Sequence, residues 1–377
     1  ILMVTFSSAA AKEMKTRYQK KFGMDAVTFS TIHSMCMSIL KKFGGYTKES
    51  ILSDPREYFY EVLRKQKGIN DINEFITGLI TEISVINNNS IDLNSYKPKC
   101  TKDKKLFLIL INGYQEYKEE WHLIDFDDML QKAYEIMVND KECLDFLRNK
   151  YRYIQVDEYQ DTNLIQKDII YLLAGQDGNL AVVGDDDQSI YAFRGAKPEI
   201  MLNFQKEYPK SKMVKMSTNY RSGKKIISEA DRVIKSNTNR FQKDFIGFKP
   251  ENGAVEYIVT EEKKDEILKI FSRIKKLLND GENPSDIAVL FRTNRQAEKM
   301  AAILFRNQIP FQSNEKIQSK YEHWMFQDLQ AYYRLANKHL DNKSSDARID
   351  LSRVLNHPNR YLFGYDYIVH GLNRRAM

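Results

Sequence analysis

The stretch YIQVDEYQDT, residues 153–162, runs from a short apolar segment directly into two adjacent carboxylates, Asp157 and Glu158. An apolar run of this length and composition is typical of a buried strand. A second stretch, VVGDDDQSIYAFRGA at residues 182–196, has the same arrangement, with three aspartates after the apolar run. Ligands of open α/β sheets bind at the carboxyl ends of the strands. Two acidic strand ends therefore favour a nucleotide site, whereas one alone would favour a solvated acidic turn.

Strand and helix patterns alternate on both sides of these stretches. Ser7 or Ser8 can cap a helix that ends at Gly23, and Ser30 or Thr31 can cap another that ends at Gly44. Strands are predicted in a first block at 1–6, 26–29, 151–156 and 179–184, and in a second block at 213–216, 255–259 and 286–291. Such alternation predicts parallel sheets with crossover helices.

Composition limits the classes of protein that need to be considered. A chain of 377 residues exceeds one ordinary core, so two or more domains are expected. The net charge of +7 is modest and leaves both ordinary solubility and a polyanionic partner open. Three widely separated cysteines give no disulfide framework or zinc pattern and fit a reducing, cytoplasmic setting. No apolar run is long enough to span a bilayer, so we expect no membrane association.

The chain lacks the GxxxxGK[ST] pattern of a phosphate-binding loop. Its nearest glycine pair, in GGYTKES at 44–50, has the wrong spacing and follows a predicted helix instead of a strand. The chain also opens on a strand-like run, ILMVTF, with no turn before it. We therefore expect a fragment of a longer protein.

Several motifs together resemble those of the UvrD/PcrA/Rep group of superfamily 1 DNA helicases. VDEYQDTN and VVGDDDQSIYAFRGA resemble motifs II and III of that group. Five further stretches match in the expected order: VTFSSAAAKEMKTR, TFSTIHSMCMSIL, IDFDDML, STNYRS and VLFRTNRQAE. The resemblance extends from residue 1 to about residue 335, and the last forty residues match only loosely. In the group, the phosphate-binding loop precedes the first of these motifs, which would place it upstream of Ile1.

The resemblance implies a role for each residue of the nucleotide site, with ATP and Mg²⁺ as cofactors. Asp157 would hold Mg²⁺, and Glu158 would be the base that activates water. Gln188 would contact the γ-phosphate and the attacking water, because an amide both donates and accepts hydrogen bonds. Tyr220 would stack on adenine, and Arg221 would reach the γ-phosphate as a guanidinium fork. The aspartates and Gln188 of DDDQ would face the nucleotide.

The same resemblance implies a track for single-stranded DNA. The implied contacts are Thr5, Phe6, His33, Tyr191, Phe193 and Arg194. Members of the group usually carry tryptophan where this chain has Phe193, so its stacking on a base would be weaker. A locally satisfied histidine at a helix start remains an alternative for His33. Asp127 and Asp128 are interpreted as structural acids that bind backbone or a nearby arginine, with a direct role as the alternative.

The predicted fold class is α/β, with two RecA-like parallel-sheet domains and helical insertions. The first domain is predicted at 1–49 and 120–205, with a helical insertion at 50–119; the second domain is predicted at 206–336 and the start of a second insertion at 337–377. The predicted function is part of an ATP-dependent 3′–5′ DNA helicase that acts on single-stranded DNA and on junctions between single and double strands. Its rivals are the helicase portion of a helicase–nuclease and a non-catalytic nucleic-acid-binding module. We expect negligible DNA-stimulated ATPase from residues 1–377 alone, because the phosphates would lack their backbone cradle.

Overall fold

A four-stranded parallel sheet organises the first part of the molecule. The computed structural model describes residues 1–63, 72–176, 178–313 and 324–336, together with residues 350, 351 and 354. The strands are β1 (Leu2–Thr5), β2 (Thr28–Thr31), β3 (Tyr153–Val156) and β4 (Asn179–Val182), in the order β2-β1-β3-β4. The register pairs Val4 with Ser30 on one side and with Val156 on the other. All four predicted strands of the first block are therefore confirmed.

Helices that follow the strands cover the sheet, and local capping explains where they begin. The helices of this part are α1 (Ser8–Phe22), α2 (Ile32–Phe43), α6 (Phe126–Asn139), α7 (Lys141–Lys150), α8 (Leu164–Ala174), α9 (Pro198–Leu202) and α10 (Phe204–Glu207). Ser7 caps α1, and Gly23 ends it in the left-handed conformation, with φ of 66°. Thr31 caps α2 through the amide of Ser34. Leu2, Val4, Ile154 and Val156 are buried in the core between the sheet and these helices.

The predicted insertion is helical in the ranges that the structure describes. It contains α3 (Arg56–Leu63), α4 (Ile72–Asn88) and α5 (Lys104–Glu120). These helices have a core of their own around Phe59, Ile76, Leu79, Phe107 and Leu110, all at most 1% exposed. An independent core of this kind explains how the insertion interrupts the α/β pattern without disturbing the sheet.

The second block of predicted strands was largely wrong in detail. Its described sheet is one parallel pair, β5 (Thr218–Asn219) with β6 (Ile246–Gly247). The segments 213–216, 255–259 and 286–291 are not strands, and Val214, Val259 and Leu290 are 82%, 88% and 93% exposed. An apolar run becomes a strand only when a neighbouring strand satisfies its backbone groups, and these segments have no such partner among the described residues.

The described helices of this second part are α11 (Lys224–Ile234), α12 (Lys263–Asn279), α13 (Asn294–Arg306) and α14 (Trp324–Ala336). The helical patterns at 223–234, 261–280 and 294–307 predict the first three, whereas α14 was not predicted. Gly223 is the N-cap residue of α11, and the amide of the preceding Ser222 donates to the Asn219 side chain at 2.9 Å. Ile274, Met300 and Leu304 form the small core that joins α12 to α13.

Packing divides the chain into two units, Ile1–Val255 and Glu256–Met377. The predicted boundary at 205/206 stays a prediction, as does the second insertion at 337–377, which lies almost wholly outside the described residues. None of the helices in the described ranges has the length and apolar content needed to cross a bilayer.

Candidate functional site

The carboxyl ends of β1, β2 and β3 open into one cavity of about 570 Å³. Asp157 follows β3 directly, and its amide donates to the Val4 carbonyl at 2.9 Å, which aligns the ends of β1 and β3. The cavity is lined by sheet-edge residues, by α4 of the insertion and by the loop after β4; these include Phe6, His33, Ser84, Asp127, Asp157, Glu158, Asp161, Tyr191, Phe193 and Arg194. The predicted acid pair and the predicted DNA-contacting aromatic residues therefore share one cavity.

The acid pair has an unusual backbone geometry. Glu158 has φ of 52° and ψ of 43°, which is the left-handed region that non-glycine residues rarely adopt. Such strain costs on the order of 1 kcal/mol or more and is concentrated at functional sites. Burial, followed by the neighbouring Glu158, raises the pKa of Asp157 above its ordinary value. A cation beside Asp157 would relieve this crowding of negative charge.

Three aromatic rings and a guanidinium form one cluster at the cavity. The rings of Phe6 and Tyr191 stack with centroids 4.7 Å apart, and Tyr191 and Phe193 are 6.0 Å apart. The guanidinium of Arg194 lies 5.4 Å from the Tyr191 centroid and 5.6 Å from that of Phe193. Phe193 is 60% exposed. Rings that stay exposed beside a guanidinium form a surface on which nucleic-acid bases can stack.

The two remaining predicted DNA contacts are less exposed. Thr5 is 2% exposed, and its hydroxyl donates to the Ser7 carbonyl at 3.0 Å, so the side chain is occupied within the fold. His33 lines the cavity, and burial lowers its pKa below the ordinary value. Its ring packs edge-on against Phe126, with centroids 6.3 Å apart. A neutral imidazole can still donate one hydrogen bond into the cavity.

Buried ionic contacts occupy two aspartates of the IDFDDML segment. The Lys118 ammonium lies 2.8 Å from Asp125 and 2.6 Å from Asp128, and all three side chains are at most 11% exposed. Asp125 and Asp128 also form a capping box at the start of α6. Burial would raise the pKa of Asp125, but Lys118 outweighs it and holds that pKa below its ordinary value. The structural interpretation of Asp128 is therefore supported, with a lysine as the cation instead of an arginine.

Asp127 has a different environment from its neighbours. Its carboxylate accepts hydrogen bonds from Ser84 at 3.0 Å and from Asn88 at 2.5 Å, both on α4. Burial, followed by the nearby Asp125, raises the pKa of Asp127 to about 6. Asp127 thus joins the insertion to the first domain at the wall of the cavity.

The three consecutive aspartates after β4 are paired with two basic residues. The Lys243 ammonium contacts all three carboxylates, those of Asp185, Asp186 and Asp187. The guanidinium of Arg240 donates two hydrogen bonds to Asp187, at 2.7 and 2.5 Å. Burial would raise the pKa of Asp187, but hydrogen bonds from Arg240 and Lys243 hold it below its ordinary value. These cations offset the mutual repulsion of the aspartates. That DDDQ faces the nucleotide stays a prediction, and the pairing with Arg240 and Lys243 was not part of it.

The remaining predicted nucleotide contacts lie elsewhere. Among the described residues that line the cavity, Gln188, Tyr220 and Arg221 are absent. Gln188 donates to the Asp185 carboxylate at 2.8 Å. Tyr220 and Arg221 line a separate open depression with Asn219, and Tyr220 is 65% exposed. Their predicted roles stay predictions.

The acidic end of β3 fits a magnesium ion held partly by other ligands. Within the described ranges, no group of three or more His, Cys, Asp and Glu side chains is arranged to hold a metal. Mg²⁺ in phosphoryl-transfer sites is usually bound by one or two carboxylates, water and the substrate phosphates. Asp157, whose carboxylate lines the cavity directly after β3, matches that pattern.

Comparisons with known proteins agree with this arrangement. The family model described as the UvrD/REP helicase N-terminal domain matches residues 1–209, and the UvrD-like helicase C-terminal domain matches residues 214–362. The chain belongs to the UvrD-type superfamily 1 helicases. Domains of this family are RecA-like P-loop folds, which agrees with the predicted fold class.

Individual UvrD-type relatives match almost the whole chain. The ATP-dependent DNA helicases PcrA of Staphylococcus aureus and of Staphylococcus epidermidis are each 32% identical over 370 residues, which cover 96% of this chain and 50% of the relative. YjcD of Bacillus subtilis is 31% identical over 341 residues, which cover 88% of this chain and 45% of YjcD. The chain thus spans about half the length of these UvrD-type relatives.

Three groups at the site were not predicted from the sequence: the buried Gln160, the cations Arg240 and Lys243, and Lys118. One signal could have indicated Gln160, since it lies two residues after Glu158 and directly before Asp161 in the turn after β3. Arg240 and Lys243 lie more than fifty positions from the aspartates that they bind. A run of three acids indicates that some cation is needed but does not indicate which one.

Proposed function

We propose that this chain forms part of the motor of an ATP-dependent DNA helicase that moves along single-stranded DNA. One observation carries the proposal: the acid pair Asp157–Glu158 and the rings of Phe6, Tyr191 and Phe193 line the same cavity at one sheet edge. A passive binder of nucleic acid has no use for a strained acid pair beside its stacking surface. A motor needs the two together, since hydrolysis must be coupled to release and capture of bases.

In the proposed reaction, the side chains of the chain act on water and on ATP. Glu158 accepts the proton of the attacking water. Asp157 would hold Mg²⁺, which when bound would supply positive charge beside the phosphates. Gln188 and Arg221 are proposed to contact the γ-phosphate, and Tyr220 is proposed to stack on adenine. Movement in the 3′ to 5′ direction and action at strand junctions are proposed from family membership.

DNA binding in the proposal depends on stacking. Every base offers a π-face, so aromatic contacts tolerate any sequence. Arg194 adds a cation beside two of the rings, and His33 offers a hydrogen-bond donor at the cavity wall. This combination suits a track along which bases are exchanged one after another.

We expect Phe193→Ala to weaken binding of single-stranded DNA by about 1–3 kcal/mol, because one stacking platform is lost. The loss should be similar for different base sequences. Arg194→Ala should also flatten the salt dependence of binding, which Phe193→Ala should leave unchanged, since only charged contacts release counterions. Anisotropy titrations over a salt series, performed on the full-length gene product, measure both effects.

A suitable control is Phe22→Ala, because Phe22 is 52% exposed on α1 and is not a lining residue of the described cavity. Its affinity for DNA should match that of the wild type. If Phe193→Ala binds DNA as tightly as the control, the aromatic cluster is not the DNA track.

A further inference from the structure

One buried amide side chain joins the acid pair to the loop after β4. Gln160 is 1% exposed. Its Nε2 donates to Glu158 Oε2 at 2.7 Å, and its Oε1 accepts from the Asp185 amide at 3.0 Å. The hydroxyl of Ser189 donates to the backbone carbonyl of Gln160 at 3.2 Å. Both ends of the side chain and its own backbone are therefore engaged between the two motifs.

The loop fits closely against this amide. A Cβ at Gly184 would lie 2.5 Å from Gln160 Oε1, which is closer than real Cβ contacts, and 3.1 Å from the Tyr159 amide nitrogen, which is tighter than most of them. A side chain at position 184 would therefore push the loop away from Gln160. The glycine that ends the apolar run thus permits the contact between Gln160 and the Asp185 amide.

The hydrogen bonds continue from the loop towards the aromatic cluster. Asp185 accepts from the side chain of Gln188 at 2.8 Å, and Tyr191, three residues further on, stacks on Phe6. Two side-chain bridges, Gln160 and Asp185, therefore separate Glu158 from Gln188. A shift of the loop that carries Tyr191 and Phe193 would therefore change the position of the Glu158 side chain through these hydrogen bonds.

We infer that Gln160 is a positioning residue that sets the orientation of Glu158 according to the position of the loop at residues 185–193. This inference rests on the proposed function, in which Glu158 is the base and the loop contacts DNA. Gln160 itself is inferred to contact neither ATP nor DNA. Its amide is suited to the task, since one end donates to a carboxylate while the other accepts from a backbone amide.

The test uses two variants of the full-length gene product, and ATPase is measured with and without single-stranded DNA. Gln160→Met removes both side-chain hydrogen bonds at similar length, so stimulation by DNA should fall at least about tenfold. Gln160→Glu keeps an acceptor for the Asp185 amide but replaces the donor to Glu158 with a second carboxylate. Because this variant also breaks the link to Glu158, its stimulation by DNA should fall as in Gln160→Met, and repulsion between the two carboxylates should lower turnover without DNA as well. The KM for ATP and the affinity for DNA should stay within about twofold in both variants.

Gln155→Met is the matched control, because Gln155 is exposed on β3 and its stimulation ratio should equal that of the wild type. Thermal unfolding of each variant gives the fraction that is folded at the assay temperature, which shows whether a loss of activity comes from unfolding or from a misplaced Glu158 side chain. A purely structural Gln160 would lower turnover in proportion to the unfolded fraction and leave the ratio unchanged in Gln160→Met. That result, or full stimulation of a folded Gln160→Met, overturns this inference alone. A wild type without DNA-stimulated turnover overturns the proposed function and the inference with it.

Discussion

Glu158→Gln in the full-length gene product is expected to reduce DNA-stimulated ATP turnover by about 10²–10⁴-fold while ATP binding stays nearly intact. Glutamine keeps the shape of the side chain but cannot accept the proton of the attacking water. It can still accept the hydrogen bond that Gln160 donates to this position at 2.7 Å. Steady-state turnover and equilibrium binding of a fluorescent ATP analogue separate the two effects.

Glu207→Gln offers a control for the loss of one negative charge, because Glu207 is a partly exposed residue of α10 outside the described cavity lining. Turnover of this control should be close to that of the wild type. Equal loss of nucleotide binding and turnover in Glu158→Gln would instead give Glu158 a structural role.

The second large effect expected is on stability. Lys118→Met should lower the free energy of unfolding by about 3–5 kcal/mol, because it leaves the buried carboxylates of Asp125 and Asp128 without their cation. Adding Asp128→Asn to this variant should recover part of the loss. Asparagine removes one uncompensated charge and can still accept from the Asp125 amide at the helix start. Urea unfolding followed by tryptophan fluorescence gives these values, since Trp121 lies close by on the chain.

Lys132→Met is the matched control on the neighbouring helix. Lys132 is 44% exposed and pairs with Glu135 at 3.2 Å, and exposed pairs of this kind contribute at most about 1 kcal/mol. A loss below about 1 kcal/mol in Lys118→Met would mean that the two carboxylates are protonated or hydrated in the folded protein, and that Lys118 does not stabilise them.

The sequence predicted the first sheet well because its signals are local. Each strand of that sheet carries its own apolar run, and caps such as Ser7 and Thr31 lie beside the helices that they start. Placing Asp157 and Glu158 beside Phe6 needed only the rule that parallel strands end at the same edge. The structure brings Phe6, Asp157 and Glu158 to one cavity.

The failures have one physical origin, which is that distant partners leave no local mark. Residues 255–259 have the composition of a strand, yet Val259 is 88% exposed and no strand among the described residues runs beside the segment. Arg240 and Lys243, which pair with the DDD run from more than fifty positions away, were likewise not predicted. The approach of this run to the nucleotide stays a prediction. A pattern of residue types indicates what a segment requires, and the fold determines what meets that requirement.

The central claim is that this chain belongs to a motor driven by ATP and not to a passive nucleic-acid-binding module. Strand separation by the full-length gene product on duplexes with a 3′ or a 5′ single-stranded tail tests that claim most directly. We predict ATP-dependent separation of the 3′-tailed duplex and little separation of the 5′-tailed one. Glu158→Gln should separate neither duplex. Tight binding to both tailed duplexes without ATP-dependent separation of either would contradict the claim.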